Sequence, residues 1–101
     1  MNGEVVWVSI VYVAGGNVPL DAGGAYAIIV AAGSSIELAL RSVRALCERE
    51  RYTGIEITSC RKVDPDDPDD DLEESVRERA LRVKSSGDPV VATLHTFSRG
   101  Q

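Results

Sequence analysis

The chain reads as an α+β (or small α/β) domain in the order β-β-α-β-α-β, with a four-stranded mixed sheet and two helices packed on it. Three observations predict this. Residues 25–63 run as an apolar strand (AYAIIVAA), an amphipathic helix (GSSIELALRSVRALCERERYTG) and an alternating strand (IEITSCRKV). A second helical pattern and a last β-rich segment repeat that arrangement downstream. A segment of Val, Ile, Trp and Tyr precedes it. The 101 residues with 44% hydrophobic content make one domain, 1–101, able to bury roughly 65% of its unfolded surface without metals or disulfides.

Glu4–Val13 is the first strand, because β-branched and aromatic residues suit a pleated surface. Val6, Val8, Ile10 and Tyr12 share one face; Val5, Trp7, Ser9, Val11 and Val13 share the other. Both faces are apolar, so the strand is either central or covered by another subunit. Residues 14–24, AGGNVPLDAGG, read as a loop of about ten residues, either a mobile tip or a partner or ligand contact. Their glycines do not form the GxGxxG of a dinucleotide site.

The second strand, Ala25–Ala32, meets a helix at Gly33-Ser34-Ser35. Ser34 and Glu37 have the spacing of a capping box. Free amides at such a junction also attract anions, so Gly33, Ser34 and Ser35 form a possible anion site. The first helix spans about Ile36 to Tyr52, with Ile36, Leu40, Val43 and Cys47 on its apolar face, flanked by Ala39 and Leu46. Glu37, Arg41, Arg44, Glu48 and Arg51 form a charged stripe, either solvated or facing an acidic partner. Thr53-Gly54 stops the helix. The third strand, Ile55–Val63, alternates, so one face meets water.

Asp64–Glu74, DPDDPDDDLEE, carries eight acids and no base, whereas the other 90 residues carry eight acids and eleven bases. The net charge of −5 is therefore local, and the body of the domain is mildly basic. Prolines hold 64–71 as a loop. The second helix then starts from Asp70 or Asp71 as N-cap and runs to Ser86 with Leu72, Val76, Ala80 and Val83 inward. Glu73–Arg77 and Glu78–Arg82 have i,i+4 spacing, and Gly87 ends the helix. Val90–Phe97 is the last strand, and the tail 98–101 is expected to fray. Two strand-helix-strand crossovers should be right-handed, which predicts mostly parallel second, third and fourth strands with both helices on one face. An uncovered apolar face would then invite a homodimer.

Catalytic sets are poor, and no enzyme is expected. The single histidine, His95, lies on an apolar strand and reads as packed, with the general base of a small enzyme as the alternative. Cys47 and Cys60 match neither a metal spacing nor CxxC; they read as small buried thiols, with a redox pair as the alternative. Asp67, Asp69, Asp71 and Glu78 fall at four positions of a calcium loop, but Leu72 stands where glycine is needed and Pro68 stiffens the start. No metal or cofactor is expected. Nucleic acid is disfavoured, since no basic patch is combined with stacking aromatics. No apolar run approaches the ~18 residues of a membrane span. The N-terminus shows no basic leader, so the cytoplasm is the expected compartment.

The acidic segment stands above background. It reads as helix N-terminal charge and solubility, or as a surface for a basic partner built from Asp66, Asp67, Asp69, Asp70, Asp71, Glu73 and Glu74. From Trp7 through the third strand, the hydrophobic spacing loosely resembles that of small bacterial immunity proteins of polymorphic toxins, over about 60 residues and without a diagnostic motif. The resemblance implies a cytoplasmic inhibitor that plugs a basic toxin or effector domain. The alternative is a small homodimeric ligand-binding or regulatory domain with its anion site at residues 33–35.

Overall fold

The computed structural model describes residues 5–16, 18–19 and 22–98, with side chains through Thr96. The elements are β1 (Val6–Gly15), β2 (Ala22–Ala32), α1 (Ile36–Arg49), β3 (Tyr52–Val63), α2 (Glu74–Ser86) and β4 (Val90–Ser98). Their order is the predicted one, and the fold is α+β. Ser98, expected in the frayed tail, instead closes β4 opposite Ala22; the expected start of the first strand at Glu4 and the rest of the expected tail, Arg99–Gln101, lie outside the described residues.

The sheet order is β3-β1-β2-β4, and every neighbouring pair is antiparallel. This corrects the mixed sheet. β2 and β3 do point the same way, since each runs against β1, but β1 lies between them and splits the crossover. β4 then adds outside β2. The reason is the path of α2. Val63 and Ala32 both pair with Val6, and Val90 pairs with Val30, so α2 begins and ends near one end of the sheet. It packs over β1, β2 and β4 rather than carrying the chain to the opposite end. α1, by contrast, carries the chain from Ala32 at that end to Tyr52 at the other.

The helices lie on opposite faces, not on one. Consecutive residues of β2 alternate between two cores. Ala25, Ala27, Ile29 and Ala31 pack with Val43, Leu46 and Cys47 of α1. Val30 and Ala32 pack with Val76, Ala80 and Val83 of α2. β1 divides likewise, with Val11 and Val13 toward α1 and Val6 and Val8 toward α2. Its two apolar faces therefore follow from a central position between two helices. Burying Val6, Val11 and Val13 contributes roughly 1.5–3 kcal/mol each.

Two local features escaped the periodic reading. β3 pairs Ser59 with Ile10 but Ile57 with Val11, leaving Thr58 as an extra residue. This bulge resets the alternation, so Cys60, opposite Ser9, follows Ile57 onto the α1 side. At the end of α1, the cap is Glu50 and the left-handed residue is Arg51, at φ 64°. The expected stop at Thr53-Gly54 comes too late, because the strand already begins at Tyr52. The chain reverses in two residues, and the backbone of Tyr52 pairs with Gly15.

The glycine-rich connection is shorter than the ten residues expected, because β1 runs on to Gly15 and β2 starts at Ala22. Its described part is turned back by bonds from Val18 N to Gly15 O (2.9 Å) and from Ala22 N to Pro19 O (3.0 Å). Val18 is buried in the α1-side core. Asn17, Leu20 and Asp21, part of the expected mobile tip, lie outside the described residues.

Candidate functional site

The acidic segment leaves β3 at the end of the sheet and returns into α2. Two prolines and dense like charge exclude a helix or strand between them, yet the backbone is held at many points. Asp67 N donates to Asp64 O and Asp70 N to Asp67 O, each at 3.1 Å, and Leu72 N donates to Asp70 O at 2.9 Å. Aspartate side chains close further turns, as short carboxylates readily do. Asp66 N donates to Asp64 Oδ1 at 3.0 Å, Asp69 N to Asp67 Oδ1 at 2.9 Å, and Asp64 N to Asp70 Oδ2 at 2.8 Å.

Arg77, in the first turns of α2, organises the whole. Its Nη1 donates to the carbonyls of Pro65 (3.0 Å) and Asp67 (2.9 Å), and its Nη2 donates to that of Asp70 (2.6 Å). A guanidinium presents donors in a rigid fork, so one side chain fixes three points of the loop. The sequence placed Arg77 in a helix-surface pair with Glu73; instead it points into the loop. From β3, Arg61 donates to Asp70 Oδ1 (3.4 Å) and Asp71 O (3.3 Å). Lys84, late in α2, bonds to Asp66. These three basic residues are the members of the site that reading the acids alone overlooks. Their sequence signal is position: Arg61 just before the acidic run, and Arg77 one turn after it ends.

The carboxylates consequently differ. Asp70 turns inward, its side chain 16% exposed. The Asp64 amide, then the Arg61 guanidinium, hold its pKa below the usual aspartate value against an opposing desolvation. Asp66 lies on the surface, and its hydrogen bond raises the pKa of Lys84. Asp67, Asp69, Asp71, Glu73 and Glu74 are exposed. α2 begins at Glu74 with Glu73 as N-cap and no side-chain cap bond, not at Asp70 or Asp71, because those residues are engaged with the arginines.

Beside the loop, a cleft of about 420 Å³ opens between β1, β3 and α2. Val6, Val63 and Pro65 line it together with Lys62, Lys84 and Asp70. Among the described residues, no group of three or more His, Cys, Asp or Glu side chains is placed to hold a metal ion.

The second predicted site is placed differently. Ser35, not Ser34, caps α1, accepting from Leu38 N at 3.3 Å. The capping box is off by one residue, and Leu38 occupies the position where glutamate would reach back. Gly33 is buried; its N–H donates to Val5 O (2.9 Å) and its carbonyl accepts from Trp7 Nε1 (2.9 Å). Ser34 alone of the three is exposed.

His95 is exposed rather than packed, on the outer strand β4 opposite Tyr26. Cys47 and Cys60 are free thiols, the first buried and the second half-buried. Burial pushes the Cys47 thiol pKa up, away from the thiolate that redox chemistry requires. Among the described residues no helix is long and apolar enough to cross a membrane. No protein-family model matches the chain, and neither the curated proteins nor the solved structures yield a match.

Proposed function

We propose that this chain is a protein-binding module of the inhibitor kind, acting in the cytoplasm as an immunity-type protein and engaging a basic toxin or effector domain through its acidic loop. One observation carries the reading. The loop is clamped from behind, its carbonyls held by Arg77 and Arg61, while Asp67, Asp69, Asp71, Glu73 and Glu74 stay exposed. A surface whose backbone is already ordered gives up little entropy on binding. Concentrated negative charge steers a cationic partner and speeds encounter. A loop serving solubility alone has no need of four arginine-to-carbonyl bonds. The alternative of an anion site at Gly33, Ser34 and Ser35 draws less support, since the Gly33 amide and the Ser35 hydroxyl already have partners.

The test is capture from cell extract with the native chain and with the triple variant Asp67→Asn, Asp69→Asn, Asp71→Asn. These positions are exposed and leave Asp70 intact. The expected result is a single basic protein held in fixed stoichiometry. Its affinity should fall at least tenfold with the variant and weaken steeply with added salt. Equal capture by both baits, or no specific partner for either, refutes the reading.

A further inference from the structure

We propose that β4 pairs antiparallel with β4 of a second copy of this chain, joining two sheets across a two-fold axis. β4 is an outer strand of the sheet. Its nine residues, VVATLHTFS, include no acid, lysine, arginine or proline. Alternate residues of such a strand turn their N–H and C=O groups away from their neighbour, a template for another strand. One extra residue, Ala92, interrupts β4 itself and a second register shift, at Gly23, falls on β2; between them Thr93–Phe97 pairs with Gly24–Ile28 in unbroken register. The other outer strand, β3, carries the usual defences against pairing. Glu56, Arg61 and Lys62 are exposed along it, and two bulges interrupt its register.

The charge distribution selects the occupant. A strongly charged partner finds no opposite charge on β4, whereas a second, equally uncharged β4 meets it without repulsion. The acidic loops, the main source of the net charge of −5, lie by Val6, Ala32 and Val63. Thr93–Phe97 lies toward the other end of β2, which keeps the two loops apart. Closure favours the same occupant. The joined sheet has eight strands and ends in β3 on both sides, so the defended edge becomes the only one left and assembly stops at two. A foreign strand on β4 would bring an edge of its own. His95 stands on the α2-side face beside this junction, where the partner's strand would flank it, and Tyr26, 43% exposed, lies one strand further in.

The size of the contact sets its strength. Nine residues at ~3.4 Å give an edge ~30 Å long. One sheet thickness of ~10 Å makes that a strip of ~300 Å², well below the ~800 Å² per partner of a standard stable interface. The dimer is therefore expected to depend on concentration.

The experiment is sedimentation equilibrium of the full chain across a wide concentration range, together with amide hydrogen exchange at the two ends of that range. The expected result is a monomer–dimer equilibrium, with alternate amides of β4 gaining protection at high concentration and those of β3 unchanged. Thr96→Lys places a charge on the edge at an exposed position and should weaken association at least tenfold. Its thermal unfolding in dilute solution, compared with that of the native chain, verifies the fold. A monomer at every concentration overturns the proposal, as does a dimer whose new protection falls on β3 or the helices.

Discussion

Arg77→Ala tests the account of the loop most directly. The guanidinium makes three hydrogen bonds to main-chain carbonyls, at 3.0, 2.9 and 2.6 Å. A bond from a charged donor has a net value of ~1.5–3 kcal/mol when desolvated, and a neutral one ~0.5–1.5 kcal/mol. Arg77 is half-buried and the carbonyls can turn to water once it is gone, so the lower range applies. Three bonds then give a loss of ~2–4 kcal/mol, capped by the free energy at which the loop opens by itself. Against a total stability of ~5–15 kcal/mol the variant should fold, with its melting temperature lowered by roughly 10–20 °C. Urea unfolding measures the total, and amide exchange locates it. Protection should vanish at Asp67, Asp70 and Leu72, whose N–H groups close the turns, and persist in β1 and β2. Arg77→Lys should recover less than half of the loss, because one ammonium cannot reach three separated carbonyls with the same geometry. A loss below ~0.5 kcal/mol, within the scatter of ordinary surface substitutions, with unchanged exchange in the loop, would refute the clamp.

Two further outcomes follow from particular residues. Gly16→Ala and Gly87→Ala both place a side chain at positive φ, 55° and 79°. The added Cβ of the first would lie 2.4 Å from the Glu50 carbonyl oxygen, whereas that of the second meets nothing within 4 Å. Gly87→Ala should therefore cost only the left-handed penalty, ~1–2 kcal/mol, and Gly16→Ala clearly more; equal losses in urea unfolding would contradict the packing described. The acid response of the loop has a definite sign. Asp70 has a folded-state pKa below its ordinary 3.8, so its stabilising contribution is present above that value and is lost as pH falls through the lowered one. Fluorescence or exchange titration should show the loop loosening below about pH 4, and Asp70→Asn should already be loose at neutral pH with a flatter acid limb. A steep limb retained in Asp70→Asn would assign the response to other carboxylates.

The sequence by itself determined the kinds of element, their order and most of the inward helix residues, although Ile36, expected on the apolar face of α1, is 38% exposed at the first turn. Val43 and Cys47 on one helix and Val76, Ala80 and Val83 on the other are buried where helical spacing puts them, because periodicity is a local property that burial then exploits. Gly87 ends α2 for an equally local reason, since a left-handed cap tolerates glycine best. The tertiary structure decided everything that depends on which segments meet. Strand order and the opposite placement of the helices follow from where α2 returns the chain, which no short window of residues specifies. The bulge at Thr58 arises from pairing with β1, so alternation within β3 could not show it. In the acidic loop the composition announced a charged surface, but the choice of Asp70 as the inward carboxylate, and of Arg77 as a clamp rather than a helix-surface partner of Glu73, was made by contact. Like charges at adjacent positions repel unless a cation and backbone donors are brought to some of them. Only the folded chain carries Arg61 from β3 and Arg77 from α2 to the same turn, and that meeting of distant residues, invisible along the sequence, orders the loop.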